Sequence, residues 1–514
     1  MQSEGTVQQR LFNKILVANR GEIAVRVMKT VQEMGIQAVA LASDADLQAE
    51  HVRQADAVIH LPGEKPADTY LQGEKIVQLA KAMGVDAVHP GYGFLSENAN
   101  FAEACQAAGI TFIGPSPQVI RDMGDKIIAK TLMQQAGVPV VPGWAGNLET
   151  DFSQIEKEAE RIGYPLLVKA AAGGGGKGMR LVHSPQELEG AFAAAAREAQ
   201  SAFGDARVFL EKYITKPRHV EFQIFGDSQG NGVHLFEREC SIQRRHQKII
   251  EESPSPALNA DLRERMGSAA VKAAQAMGYT NAGTVEFIVS ESGEFYFLEV
   301  NTRLQVEHPV TEMITQLDLV RLQIQVAAGL PLPFQQADLR QTGHALECRI
   351  YAEDPARNFM PGIGKLAFYR PPSGPFIRLD SGVREGSEVT VHYDPMLAKL
   401  IVWGPDRSAA LQKMSWALSR FVVLGVPNNV EYLKAIVDHP AFVAGQLHTH
   451  FLDEHGITVR TPEPSEAVWA LGTLSASLLQ NGSHSNAAKS DESGQALFTP
   501  WQQGGAWRAL SCQK

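Results

Sequence analysis

The stretch "TVEFIVSESGEFYFLEVNTRLQVEH" brings together residues that could hold charge and move a proton. It reads as a hairpin. With its turn centred on Ser292 and Gly293, Glu286 falls directly opposite Glu299. Side chains alternate along a strand, so Glu286 and Ile288 share a face with Phe297 and Glu299. Two carboxylates facing each other in apolar surroundings repel. A divalent cation removes that repulsion. An oxygen-only set with no cysteine nearby suits Mg2+ or Mn2+ holding nucleotide phosphates. A solvated surface pair is the alternative.

The same parity continues through Asn301, Arg303, Gln305 and Glu307. If the chain stays extended, all point one way with Glu299. Arg303 could then hold a small anion and Glu307 could deprotonate it. A helical turn after Asn301 would break the row. Upstream, "CSIQRRHQKIIEE" sets Gln243, Arg244, Arg245, His246 and Lys248 close together. A solvated basic turn and a nucleic-acid patch are alternatives, but the run is short and lacks interleaved aromatics. An anionic substrate is the more economical ligand.

A third candidate is "KAAAGGGGKGM", from Lys169 to Met179. It matches a dinucleotide fingerprint at Gly173, Gly175 and Gly178 and nearly matches a P-loop. Both devices need a helix next. Here "MRLVHS" follows and reads as a strand. Strand, glycines, strand describes a hairpin lid whose amides, with Gly174 and Gly175 at its centre, could close over a polyphosphate. Lys169 at its root could reach a phosphate. A ligand-free surface hairpin is the alternative.

These groups need elements to position them. "KILVANRGEIAVRVMKTVQEMGIQAVAL" reads as strand, turn, helix, strand, which predicts a parallel sheet. Asp86–His89 and Thr111–Ile113 read as later strands of that sheet. Helices are predicted over Lys126–Gly137, Gln186–Gln200, Leu262–Met277 and Ser408–Leu418. Further strands are predicted over Val208–Tyr213, Glu221–Phe225 and Val233–Glu237. The fold class is mixed α/β. It comprises an N-terminal βαβ parallel-sheet domain over 11–125, a nucleotide domain over 126–335 with a lid at about 140–214, and a C-terminal mixed domain over 343–453. Residues 454–514 read as a linker, with "LLQNGSHSNAAKSDESGQ" disordered, and the start of a further connecting domain.

The 514 residues suit about three domains at roughly 100–200 residues each. A net charge of −10 argues against a nucleic-acid partner. The four cysteines form no C-x-x-C pair, which points to a reducing, cytoplasmic setting. No apolar run approaches the roughly 20 residues of a membrane span.

Taken together, "ANRGEIAVRV", "HPGYGFLSEN", "MGDK", "KAAAGGGGKGM", "EKYITKPRHVEFQIFGD", "ERECSIQRRHQKIIEE", "EVNTRLQVEHPVTEMI" and "GHALECRIYAED" closely resemble biotin carboxylase, an ATP-grasp enzyme. The resemblance covers about Leu11 to Asp453. It implies ATP-dependent activation of bicarbonate as carboxyphosphate and carboxylation of biotin on a carrier. It implies ATP binding by Lys126, Lys169, the glycine lid, Glu211, Lys212, Ile214, His219, Gln243, His246, Ile288 and Leu298. Glu286, Glu299 and Asn301 match the family's ligands for Mg2+ or Mn2+. Lys248, Arg303, Gln305 and Val306 match its bicarbonate pocket, and Glu307 its base. Arg349 matches the residue that stabilises the biotin enolate. One departure is Lys177, where many relatives carry arginine.

Within the family, "LDSGVREGSEVTVHYDPMLAKLIVWGPDR" and "TPWQQGGAWRAL" look most like the α subunit of 3-methylcrotonyl-CoA carboxylase. Geranyl-, propionyl- and acetyl-CoA carboxylases are alternatives. Those proteins go on into a connecting domain and a biotinyl domain with an Ala-Met-Lys-Met motif, and no Met-Lys-Met occurs here. The resemblance therefore implies biotin carried by another domain or protein, a carboxyltransferase (β) partner, and a homodimer or larger assembly. A different ATP-grasp carboxylate–amine ligase would share the lid and metal carboxylates without needing Arg303, Gln305, Glu307 and Arg349. A non-catalytic scaffold would need none of them.

Overall fold

The computed structural model describes residues 11–146, 151–170, 179–459 and 465–482. It divides into two units, 1–459 and 460–514. The first unit holds three sheets that matter for function.

The N-terminal sheet contains β1 (Lys14–Val17), β2 (Gln37–Ser43), β3 (Ala57–Leu61), β4 (Ala87–His89) and β5 (Thr111–Phe112) in the order β3-β2-β1-β4-β5. All pairings are parallel. A parallel sheet is covered on both faces, and β2 is accordingly buried after Gln37. The helix Gly21–Glu33 buries Ile23, Ala24, Val27, Met28 and Val31, a spacing that lays one apolar stripe on the sheet.

The second sheet has four antiparallel strands, β6 (Gly143–Gly146), β7 (Leu166–Ala170), β8 (Met179–Val182) and β9 (Val208–Lys212), in the order β6-β9-β7-β8. β7 and β8 flank the glycine run, so the strand–glycines–strand reading holds. The run itself, with Gly174, Gly175 and Lys177, lies outside the described residues. Helices Phe152–Ile162 and Pro185–Phe203 pack Ile155, Ile162, Leu188 and Phe192 against Leu166, Val168 and Leu210.

The third sheet carries most of the site. Its strands are β10 (Arg218–Gly226), β11 (Gly232–Arg244), β12 (Gln247–Ser253), β13 (Asn281–Val289), β14 (Phe295–Asn301), β15 (His344–Tyr351), β16 (Ile377–Ser381) and β17 (Met396–Gly404). Their order is β14-β13-β10-β11-β12-β15-β17-β16. At one end the helix Ala260–Ala276 packs Leu262, Met266 and Ala270 in a core with Val220, Phe222 and Phe287. At the other, the helix Arg407–Arg420 packs Leu411, Met414 and Leu418 with Leu346, Cys348 and Leu400. The β12–β15 pairing makes the sheet continuous from the nucleotide region into the C-terminal region. The expected boundary between 335 and 343 therefore lies within one sheet.

Three local readings change. β14 bulges between its pairings with Glu286 and Phe287, so Phe297 stands opposite Phe287 and joins the core instead of sharing the acidic face. The basic run at 243–248 is not a loose turn. β11 runs to Arg244, which pairs with Gln247 across a two-residue turn. Arg245 and His246 both adopt positive φ there, as a twisted hairpin demands. In the second unit, Glu466–Gly482 is helical and takes in Leu478–Gly482, the first five residues of the stretch expected to be disordered. The rest of that stretch lies outside the described residues.

Candidate active site

The register of the third sheet lines up charges across four strands. Glu299 on β14 faces Glu286 on β13, as the hairpin reading requires. Glu286 in turn faces Glu221 on β10, and Glu221 faces Arg238 on β11. Arg238 is fully buried. Its Nε donates to Glu221 Oε1 at 2.5 Å, Nη1 to Gln223 and Thr311, and Nη2 to Thr284.

Lys248, on β12, reaches over this row. Its Nζ lies 2.5 Å from Glu221 Oε2, 2.8 Å from Glu286 Oε1 and 2.7 Å from Glu307 Oε1. Burial alone would lower the Lys248 pKa, but Glu221, Glu286 and Glu307 together hold it well above the ordinary lysine value. Glu307 is fully buried, and its other oxygen accepts from Arg349 Nη2 at 2.8 Å. Burial would raise Glu307, yet Lys248 and Arg349 hold it well below the carboxylate range. Glu286 is likewise depressed: burial opposes ionisation, but Lys248 and His219 prevail, with His219 Nε2 2.7 Å from Glu286 Oε2. Glu299 behaves oppositely. Burial first, then the Glu286 charge, raises it.

The strand reading of the 299–307 row fails beyond Asn301. β14 ends there, 302–307 is irregular, and the next helix starts at His308 with Glu307 as its N-cap and Pro309 in its first turn. The side chains converge all the same, because the loop folds back on itself. Arg303 donates to Asn301 Oδ1 at 3.1 Å and Gln305 Oε1 at 3.0 Å, and Gln305 Nε2 to Glu286 Oε1 at 3.3 Å. Arg303 also pairs with Glu97 at 2.9 Å. A side-chain net thus does what strand alternation was expected to do.

A cavity of about 1280 Å3 opens over these groups. Of the residues singled out from sequence, Lys126, Lys169, Glu211, Lys212, Ile214, His219, Gln243 and His246 line it. So do Lys248, Glu286, Ile288, Leu298, Glu299, Asn301, Arg303, Gln305, Val306 and Arg349. The β14 bulge turns Leu298 towards the cavity. Glu307 sits beneath the lining, reached through Lys248 and Arg349. Lys169 lies 2.5 Å from Glu211, whose other oxygen is 2.8 Å from Lys130. Burial would raise Glu211, but the two lysines keep it low. Burial lowers Lys126, outweighing the pull of Glu299.

Sequence reasoning missed several groups. Glu221 completes the acidic row, and its strand parity with Gln223 was the available signal. Tyr92, Tyr393, Thr449 and His450 also line the cavity. Fully buried Lys399 donates to the Val306 carbonyl at 2.8 Å and so holds the irregular loop from below. Tyr92, Glu221, Tyr393 and Lys399 lie within the quoted family stretches, but nothing in their local spacing marks them as site residues.

Comparison with known proteins agrees with this geometry. The family model for the biotin carboxylase N-terminal domain matches residues 11–120. That for the carbamoyl-phosphate synthase L chain ATP-binding domain matches 125–335, and that for the biotin carboxylase C-terminal domain matches 347–454. The chain is 51% identical over 510 residues to the α subunit of the mitochondrial methylcrotonoyl-CoA carboxylase of Glycine max, covering 97% of this chain and 70% of that one. It spans 60% of the Oryza sativa counterpart. It is 53% identical over 445 residues to a pyruvate carboxylase subunit of Methanothermobacter thermautotrophicus, covering 87% and 90%. The biotin carboxylase domain of Hydrogenobacter thermophilus 2-oxoglutarate carboxylase, solved with MgADP and bicarbonate, superposes with a TM-score of 0.83 at 48% identity, covering 87% and 99%. A constellation of this kind on this sheet, matched along nearly the whole first unit, places the chain in the biotin carboxylase family of ATP-dependent ligases.

Proposed function

We propose that this chain uses ATP and bicarbonate to carboxylate biotin presented on a carrier, with Glu307 as the base. The observation that carries the reading is Glu307 held between Lys248 and Arg349 at 2.7 and 2.8 Å beneath the cavity. In that state Glu307 is ionised but a poor base, because two cations stabilise its charge. An incoming bicarbonate competes for Lys248 and finds a second cation in Arg303. As Lys248 turns towards the anion, Glu307 regains basicity and takes the bicarbonate proton. The resulting oxyanion attacks the terminal phosphate of ATP, forming carboxyphosphate and ADP. Carboxyphosphate then breaks into CO2 and phosphate, the phosphate takes the N1′ proton of biotin and N1′ bonds to the CO2, while Arg349, freed on one side, meets the negative charge that develops on the ureido oxygen.

Glu286, Glu299 and Asn301 would hold Mg2+ or Mn2+. Glu299, raised by burial and by the facing Glu286, fits such an ion, and the all-oxygen donor set suits it. When bound, the ion supplies positive charge to the phosphates. Lys126 and Lys169 add point charges from the protein. A lid on β7 and β8 would keep water from carboxyphosphate.

The carrier and a carboxyltransferase are the partners this chemistry requires. 3-Methylcrotonyl-CoA is the leading acceptor, on the identity to the methylcrotonoyl-CoA carboxylases. A 2-oxo acid acceptor is a second reading, favoured by the similarity to the Methanothermobacter pyruvate carboxylase. Bicarbonate-dependent ATP hydrolysis stimulated by free biotin tests the core reading. ATP hydrolysis indifferent to biotin would overturn it. Adding carboxyltransferase candidates and biotinylated carriers, then screening acyl-CoA and 2-oxo acid acceptors, separates the two.

A further inference from the structure

Another pair of carboxylates faces across the same sheet, between β12 and β15. Glu251 on β12 and Glu347 on β15 are direct cross-strand partners. Both are fully buried. Their surroundings are poor in donors. Arg349 gives its Nε to Glu251 Oε1 at 2.6 Å. Glu251 Oε2 and both oxygens of Glu347 have no hydrogen-bond partner. On its other side Glu347 faces Ile401 of β17, which packs with Ala345, Val310 and Ile314. Two ionised carboxylates cannot stand opposite each other in such a place. One proton between them removes the repulsion and supplies a donor for an orphaned oxygen.

The pair also touches the machinery. Arg349 bridges Glu251 and Glu307 with its guanidinium. We propose that Glu251 and Glu347 share a proton and act as a positioning pair that sets how tightly Arg349 holds Glu307. With one proton the pair carries one negative charge, and Arg349 is divided between Glu251 and Glu307. With two protons the pair is neutral, Arg349 turns wholly to Glu307, and Glu307 loses basicity. The charged groups facing the pair are Arg349 on β15, Lys248 on β12, Lys399 on β17, and Glu307 ahead of the helix His308–Thr315. His308 opens that helix and is itself buried. Burial raises both acids. Glu251 reaches about 7 despite Arg349, and Glu347 lies well above the usual range despite Lys399.

This inference rests on the role proposed for Glu307, so its test has two readouts. The infrared spectrum of the whole chain at neutral pH should contain a protonated-carboxyl band that is lost in Glu347→Gln, because Glu251 without its neighbour ionises. Superimposable spectra would overturn the pair whatever the enzyme does. If E347Q does not fold, Glu251→Gln decides: the same band must be lost or shifted there, and an unchanged band refutes a shared proton. In turnover, E347Q should move the acidic limb of the kcat profile downwards by at least one pH unit. A role confined to packing would lower kcat at every pH and leave the limb in place. Should biotin fail to stimulate ATP hydrolysis at all, the infrared result still stands on its own.

Discussion

Among the facing glutamates of the third sheet, the pairs Glu286–Glu299 and Glu251–Glu347 differ in what surrounds them. Glu286 and Glu299 open onto a cavity and have Lys248, His219, Asn301 and Lys126 within reach. Glu251 and Glu347 are fully buried beside an apolar cluster, and of the two only Glu251 accepts from an arginine. The same local motif thus serves two chemistries. Where solvent, phosphates and cations can enter, facing carboxylates suit a metal. Where nothing can enter, the smallest available cation is a proton. Neighbours, not the pair itself, decide which.

Glu307 lies between the two pairs and is the place to break the comparison most severely. Glu307→Gln keeps the shape and removes the basicity. Turnover dependent on bicarbonate should fall roughly 10²–10⁴-fold, as for loss of a general base. Nucleotide affinity, measured by calorimetry, should hardly change, and a parallel loss would mean Glu307 serves the nucleotide end instead. Next in size is Arg238→Met, which strands Glu221 without its buried partner. Denaturant unfolding should show a loss of about 3–5 kcal/mol. A near-neutral result would show that Lys248 alone can balance the row.

Glu299→Gln should weaken Mg2+ or Mn2+ activation by roughly 10–100-fold, the scale on which groups supporting a metal act. It should leave the pH profile where it was. Glu347→Gln should do the reverse, and identical behaviour of the two variants would erase the distinction between the pairs. The smallest effect concerns stability against pH. Glu251 binds its proton more tightly when folded, with a pKa of about 7 against an ordinary 4.5. Its contribution is complete below the ordinary value and is lost as pH rises through about 7. Glu307 and Glu286 are shifted the other way, so theirs is present above the ordinary value and lost in acid. Thermal unfolding should therefore show E251Q flattening the slope between about pH 4.5 and 7 and leaving the acid limb intact.

How much of this was legible in the sequence depended on the length of chain between partners. The predicted pairing of Glu286 with Glu299 holds only because of the bulge: near the turn Val289 pairs with Phe295 and Phe287 with Phe297, a register that alone would set Glu286 opposite Leu298. That bulge, which moves Phe297 into the core, was not readable, since an extra residue leaves no mark in an alternating pattern. The convergence of Arg303, Gln305 and Glu307 was foreseen for a wrong local reason: side-chain bonding within an irregular loop replaces strand alternation. Glu251 and Glu347 could not be paired by inspection, because nothing local aligns β12 with β15. The parallel sheet and the strands around the glycines were readable throughout, since each rests on short-range periodicity.

The row Glu299, Glu286, Glu221, Arg238 has a consequence for how the chain finds its structure. A strand that slipped by one residue would turn its charges into the core beside Phe222 and Phe287 and its phenylalanines out to the cavity. Every such misalignment strands an ion without a partner, so only one alignment of these four strands is tolerable. The residues that serve turnover in the finished enzyme thereby act as proofreaders during assembly. A variant chosen only to silence catalysis at this row should also be watched for errors in folding yield.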